Sequence, residues 1–106
     1  MTKVLIRSYR TEPLKGKAVA IFPELSASRD GSKMVCYDQE GHNSMSLGAM
    51  VELTERTDDC DIQAMVLNRL SSIGYQDLEL VQDFTVAMYT ERKAQAAKDW
   101  AACANS

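Results

Sequence analysis

Residues 57–82 constrain the fold more than any other stretch, because they carry a helix start, an amphipathic body, a helix stop and a following strand. Asp58 and Asp59 can accept hydrogen bonds from the free backbone donors of a first helical turn, and their charge, with that of Asp61, suits the positive end of the helix dipole. Gly74 can adopt a left-handed conformation and is expected to end the helix in an αL or Schellman motif. The segment predicts a helix over residues 59–73 and a short strand over 78–81.

The apolar side chains of this helix repeat at helical spacing and therefore share one face. They are Ile62, Met65, Val66, Leu70 and Ile73. The face is expected to be buried against a sheet, with Leu70 in the core.

Four strands are predicted before the helix. The first covers residues 3–10 and places Val4, Ile6 and Ser8 on one side. The second covers residues 17–22 and is stopped by Pro23, and the short turn between these two strands favours antiparallel pairing. A third strand over 33–37 follows a loop at 26–32, and a fourth over 48–54 follows a loop at 38–44. Residues 45–48 are also compatible with a short helical turn.

The C-terminal tail, residues 84–106, combines two signals. Residues 84–90 are β-branched and aromatic, which favours a strand, whereas residues 91–104 are rich in Ala, Lys, Gln and Glu, which favours a helix. We predict one helix from about Thr85 to Cys103, capped by Thr85. Its thin apolar stripe contains Met88 or Tyr89, Ala96, Trp100 and Cys103. The stripe is expected to pack on the sheet edge, or to meet a second copy of the chain through Trp100 and Tyr89.

These elements predict an α+β fold, with a three- to five-stranded, mainly antiparallel sheet, one helix packed on a face and a C-terminal helix. The 106 residues are too few for a second sizeable core, so we expect a single domain over 1–106. Within it, residues 1–57 are mainly β, 58–83 form a helix and a strand, and 84–106 form a helical tail. No apolar run approaches the ~20 residues of a membrane span, and the start lacks a signal-peptide pattern. We therefore expect a cytoplasmic protein without a membrane partner.

Charge is distributed unevenly along the chain. Residues 1–33 contain seven basic and three acidic side chains, whereas the other 73 residues contain five basic and twelve acidic ones. A basic segment of this kind can meet an acidic partner or a nucleic acid. Nine side chains are candidates for partner binding: Arg7, Arg10, Lys15, Lys17, Arg29, Lys33, His42, Tyr89 and Trp100.

The only histidine, His42, lies close in sequence to Cys36 and Asp38. Together with Glu24 these side chains supply the residue types of a small Cys/His enzyme. A histidine that hydrogen-bonds locally and stabilises its loop is the simpler interpretation. The three cysteines are odd in number and widely spaced, which does not indicate a disulfide framework or a zinc site. No catalytic residue, metal ligand or cofactor is assigned from the sequence.

One resemblance spans residues 18–82. The order of short motifs is Phe-Pro-Glu at 22–24, Cys-Tyr at 36–37, Gly-His at 41–42 and Ile-Gly-Tyr at 73–75 before a short strand. This order resembles a family of small uncharacterised proteins encoded by bacteriophages and other bacterial mobile elements. The resemblance implies a mobile-element origin and a few antiparallel strands with a helix, but no activity.

The expected function is that of a non-enzymatic phage or mobile-element accessory protein that binds a host macromolecule. A host protein or protein complex is the first candidate partner, and inhibition of a host defence complex is one concrete form. Three alternatives stay open: nucleic-acid binding through the basic N-terminal third, a small Cys/His enzyme, and a homodimer formed through the C-terminal helix.

Overall fold

The computed structural model describes the backbone of residues 1–104 and the side chains of residues 1–99 and 101. The predicted α+β class is confirmed. The elements follow in the order β1 (Thr2–Tyr9), β2 (Ala18–Ser26), β3 (Lys33–Asp38), β4 (Gly41–Ser46), α1 (Leu47–Leu53), β5 (Thr54–Arg56), α2 (Cys60–Ser72), β6 (Leu78–Leu80) and α3 (Val86–Ala104).

The strands form one sheet in the order β4-β3-β2-β1-β5, with antiparallel neighbours. The last strand, β6, shares the outer edge of β1 with β5. It pairs in parallel with the first half of β1, whereas β5 pairs with the second half. The described part of the chain thus has six strands, one more than the upper limit predicted.

Alternation along the strands gives the sheet two apolar faces. One face packs under α2, and its core cluster joins Val4, Ile6, Ala20 and Phe22 of the strands to Leu70 of the helix. The other face forms a second core cluster, in which Met50 of α1 packs with strand residues: Leu5, Tyr9, Val19, Ile21, Met34, Cys36 and Met45. The predicted division of β1 between two sides is therefore confirmed.

The prediction that Pro23 stops β2 was wrong. The strand continues to Ser26, and Pro23 lies where the register between β2 and β3 shifts. A bulge tolerates proline because a residue there does not need to donate to the ladder.

The region around His42 also differs from the prediction. Residues 41–46 form β4, which pairs with β3 through a tight hairpin, so His42 lies in a strand and not in a loop. Gly41 has φ +110°, and the amide of Glu40 donates to Asp38 Oδ1 at 2.9 Å. The positive φ of Gly41 and the hydrogen bond to Asp38 allow a turn of only two residues between β3 and β4.

The predicted strand over residues 48–54 is mostly helix α1. The hydroxyl of Ser46 accepts a hydrogen bond from the amide of Ala49 at 3.1 Å and so caps the helix start. Leu47 and Met50, three residues apart, both pack against the second apolar face. The alternative of a short helical turn at residues 45–48 was therefore closer to the structure, and the strand β5 begins only at Thr54.

Helix α2 confirms the signals at both of its ends. Asp59 is the N-cap and accepts from the amides of Asp61 and Ile62 at 3.0 and 3.2 Å. At the other end the amide of Tyr75 donates to Leu70 and that of Gly74 donates to Ser71, at 3.1 and 3.2 Å. This pair of bonds is the Schellman pattern, and Gly74 has φ +112°.

Replacing Gly74 with alanine is expected to lower the free energy of unfolding by about 1 to 2 kcal/mol, because a Cβ disfavours positive φ. Nothing lies within 4 Å of the added Cβ, so backbone strain is the sole direct effect. Gly48→Ala is the matched control, since Gly48 also has open space but lies inside α1 without positive φ; it is expected to be neutral or stabilising by up to about 1 kcal/mol. Urea denaturation of both variants checks the difference, and equal effects would contradict it.

Helix α3 begins as predicted. Thr85 Oγ1 accepts from the amide of Met88 at 3.3 Å, and Met88 and Ala96 are buried. Tyr89 is exposed, and the side chains of Trp100 and Cys103 lie outside the described residues. Across residues 1–104, no helix combines the length and the apolar character that a bilayer span requires.

Candidate functional site

A groove of about 270 Å³ lies between α2 and the adjacent ends of β2 and β3. We call it the α2 groove. Its lining is mostly apolar and consists of Gly16, Lys17, Ala18, Tyr37, Asp38, Gln39, Ile62, Met65, Val66 and Arg69.

The groove exists because α2 is rotated on the sheet relative to the predicted face. Leu70 is fully buried, and Val66 and Leu67 pack beside it on the sheet. Met65 is 62% exposed and Ile73 is 45% exposed, so the prediction that these two side chains are buried was wrong. A helix turns by about 100° per residue, so a contact centred on Leu70 and Leu67 directs Met65 away from the sheet.

Tyr37 and Arg69 form one wall of the groove and hold each other in place. The Arg69 guanidinium lies over the Tyr37 ring at 5.7 Å from its centroid, and Arg69 Nε donates to Tyr37 Oη at 3.4 Å. Tyr37 reaches this side because it is on the α2 face of β3, opposite to Cys36. An exposed arginine is thereby partly ordered before any partner binds.

A row of rings continues from Tyr37 along the sheet. His42 meets Tyr37 edge-on at 4.9 Å, and its Nε2 is 2.8 Å from Tyr75 Oη. Tyr75 stacks on the buried Phe22 at 4.7 Å, and burial raises the pKa of the Tyr75 hydroxyl. His42 therefore joins β4 to the segment after α2, a contact across 33 residues, rather than stabilising only its own turn.

The polar rim of the α2 groove contains two cations and one carboxylate. Lys17 and Arg69 are exposed. Asp38 is engaged within the protein: Oδ2 accepts from Tyr9 Oη at 3.0 Å and Oδ1 accepts from the Glu40 amide. Burial and the hydrogen bond to Asp38 raise the pKa of Tyr9, which keeps this phenol protonated as a donor. The rim thus presents more positive than negative charge to a ligand.

Cys36 and His42 are not brought together. Cys36 is on the opposite face of the sheet from the Tyr37 ring that contacts His42, and only 1% of it is exposed. Burial raises the pKa of the Cys36 thiol to about 11. Glu24, the other acid considered, pairs with Lys3 at 3.5 Å. Among the described residues, no group of three or more His, Cys, Asp and Glu side chains could hold a metal ion.

The basic candidates separate into two groups. Arg7, Arg10, Lys15 and Lys17 lie at the end of the sheet where β1 passes into β2. Arg29 and Lys33 lie at the other end, after β2 has crossed the sheet, a distance of about 25 Å for eight or nine extended residues. The structure does not unite the six side chains in one patch. Tyr89 lies on α3 with its ring beside Arg92 and Lys93, and Lys93 Nζ donates to the carbonyl of Asp30, which lies between Arg29 and Lys33 in the chain.

The prediction from sequence missed Tyr37, Met65, Arg69 and Tyr75 as site residues. One signal was available, since Met65 and Arg69 are four residues apart and therefore share a helix face.

Comparisons with protein-family models, with curated proteins and with solved structures give no significant match to this chain.

Proposed function

We propose that this chain is a non-enzymatic binding protein that docks on a partner protein through the α2 groove. The observation that carries the proposal is the exposed Met65 beside an apolar groove that is walled by Tyr37 and Arg69. At about 270 Å³ the groove is below the roughly 300 to 1,000 Å³ of typical small-molecule pockets. Its size suits one or two side chains of a partner.

The chemistry of the groove defines the partner segment. Methionine adapts its shape to different apolar surfaces, and tyrosine and arginine are enriched among the residues that dominate binding energy. Because Tyr37 already orders Arg69, little side-chain entropy remains to be lost there. Lys17 and Arg69 at the rim favour an apolar side chain flanked by carboxylates. The occupant is therefore an acidic, partly apolar protein segment.

The available surface is adequate for such an interaction. The described structure exposes 6458 Å², and a standard interface takes about 800 Å² from each partner, roughly an eighth of this surface. The groove with Met65, Ile73 and the row of rings would form its centre.

The resemblance to proteins of bacteriophages and mobile elements extends the proposal. It supports a cytoplasmic host macromolecule as the partner, a host protein or protein complex in the first place. Inhibition of a host defence complex is one concrete form, in which this chain covers an acidic and apolar patch that the complex needs.

Met65→Lys is expected to weaken partner binding tenfold or more, because docking would bury an ammonium group in an apolar groove, at a cost of at least about 1.4 kcal/mol. Lys17→Glu is expected to weaken binding as well, since it repels an acidic segment. Val86→Lys is the matched control: Val86 is 79% exposed and lies at the start of α3, outside the groove lining. The tagged variants are compared in pull-downs from a bacterial lysate at low and high salt, and the retained protein is then titrated in purified form.

A protein retained at high salt by the original chain and by Val86→Lys, but lost from Met65→Lys, supports the proposal. Equal retention by all variants would exclude the α2 groove as the docking site. Retention of nucleic acid alone, released as salt rises, would replace this proposal with the nucleic-acid alternative.

A further inference from the structure

Two guanidinium groups share one backbone carbonyl at the corner where β1, α1 and β5 meet. Arg7 Nη2 donates to the Thr54 carbonyl at 3.1 Å, and Arg10 donates to the same oxygen from Nη2 at 2.8 Å and from Nε at 3.2 Å. Arg7 Nε also donates to Thr54 Oγ1 at 2.6 Å, and Arg10 Nη2 donates to the Val51 carbonyl at 2.9 Å. Two like charges are thus held within hydrogen-bond distance of one oxygen atom.

A third arginine extends this corner. Arg56 is the direct partner of Arg7 in the β1–β5 register, so both side chains leave the sheet on the same face. The nearest acids do not neutralise the group fully. Asp83 bridges Arg56 at 3.1 Å, but among the described residues no carboxylate lies within 4.0 Å of Arg7 or Arg10.

The carbonyls at the end of α1 account for part of this arrangement, because the C-terminus of a helix attracts cations. These carbonyls do not require two guanidinium groups on one oxygen, and the repulsion between the two guanidinium groups is unfavourable. Burial lowers the pKa of Arg7, and the charges of Arg10 and Arg56 lower it further, while Asp83 and Glu55 act in the opposite direction. Arginine side chains stay charged at neutral pH in proteins, so this lowering leaves the Arg7 guanidinium charged.

We propose that the corner formed by Arg7, Arg10 and Arg56 binds an oxyanion, specifically a phosphate group. The Nη1 atoms of Arg7 and Arg10 donate to no described residue, so each keeps its hydrogens for such a ligand. Guanidinium groups match phosphate oxygens geometrically and form short, charge-assisted hydrogen bonds with them. This site is separate from the α2 groove and does not depend on the proposed docking function.

The test is a titration of ¹⁵N-labelled protein with inorganic phosphate, followed through the arginine Nε–Hε signals, with chloride at matched ionic strength as the reference. Saturable shifts are expected for Arg7 and Arg10. Arg10→Gln is expected to weaken phosphate binding about tenfold by removing one charge-assisted contact. Arg56→Gln provides a second test of phosphate binding. Because Arg56 donates to no α1 carbonyl, this variant leaves the hydrogen bonds at the end of α1 in place. Lys98→Gln, on α3, removes one exposed positive charge outside this corner; it is the control and is expected to leave binding unchanged.

Shifts that chloride reproduces, or an equal loss of phosphate binding in Lys98→Gln and Arg10→Gln, would overturn the site, because both would mean diffuse attraction. A mixed-sequence single-stranded DNA oligonucleotide distinguishes the two sources of the phosphate. If the source is a nucleic acid, the oligonucleotide binds more tightly than inorganic phosphate, with an affinity that falls steeply with salt and falls again in Arg10→Gln. If the source is a small phosphorylated molecule, the oligonucleotide shows no such advantage over inorganic phosphate.

Discussion

Replacing Arg92 with alanine is expected to lower the free energy of unfolding by about 3 to 5 kcal/mol, since it removes a large buried side chain and leaves two carbonyls without their donor. Arg92 lies on α3 and is only 1% exposed. Its Nε donates to the Gly31 carbonyl at 2.7 Å, and Nη1 donates to the Pro23 carbonyl at 2.9 Å. The guanidinium also lies over the rings of Phe84 and Tyr89, at 5.6 and 5.3 Å.

This loss is large relative to the total free energy of unfolding of the domain. A domain of this size is stable by roughly 5 to 15 kcal/mol, so Arg92→Ala would remove a substantial part of its stability. Arg92→Lys keeps the charge but lacks the planar fork that reaches both carbonyls, and an intermediate loss is expected. Chemical denaturation followed by circular dichroism measures all variants.

Lys93→Ala is the matched control, because the neighbouring Lys93 makes an exposed hydrogen bond to the Asp30 carbonyl at 2.7 Å. It is expected to change stability by less than about 1 kcal/mol. A loss in Arg92→Ala no larger than that in Lys93→Ala would mean that α3 is not held to β2 through the buried guanidinium.

The second large effect is expected for Leu70→Ala, at about 2 to 5 kcal/mol, because Leu70 is fully buried between α2 and the sheet and truncation leaves a cavity. Met65→Ala, five residues earlier on the same helix, is expected to change stability by no more than about 0.5 kcal/mol, because Met65 is exposed. Equal losses in the two variants, measured by the same denaturation assay, would place α2 in a different rotation on the sheet and would close the α2 groove.

Local signals predicted α2 well because both of its ends depend on neighbouring residues. Asp59 can cap the first turn, and Gly74 can close a Schellman motif, without any distant partner. The start of α3 at Thr85 and the alternation of β1 were predictable for the same reason.

Elements that depend on distant pairing were predicted less well. β4 is polar and has little intrinsic strand preference, and its strand conformation comes from pairing with β3. Pro23 is compatible with β2 because the register shifts there. Residues 48–53 contain apolar side chains that suit a strand or a helix, and the capping hydroxyl of Ser46 together with the packing of Leu47 and Met50 favours the helix.

The candidate sites show the same division. The sequence by itself determined the α+β class, the ends of α2 and the basic character of the N-terminal third, since these follow from local chemistry and composition. Only the tertiary structure decided that Met65 is exposed while Leu70 is buried, that Tyr37 orders Arg69, and that Arg7 and Arg10 share one carbonyl. The rotation of α2 on the sheet and the place where β5 joins β1 bring these side chains together, and both depend on contacts between residues far apart in the chain.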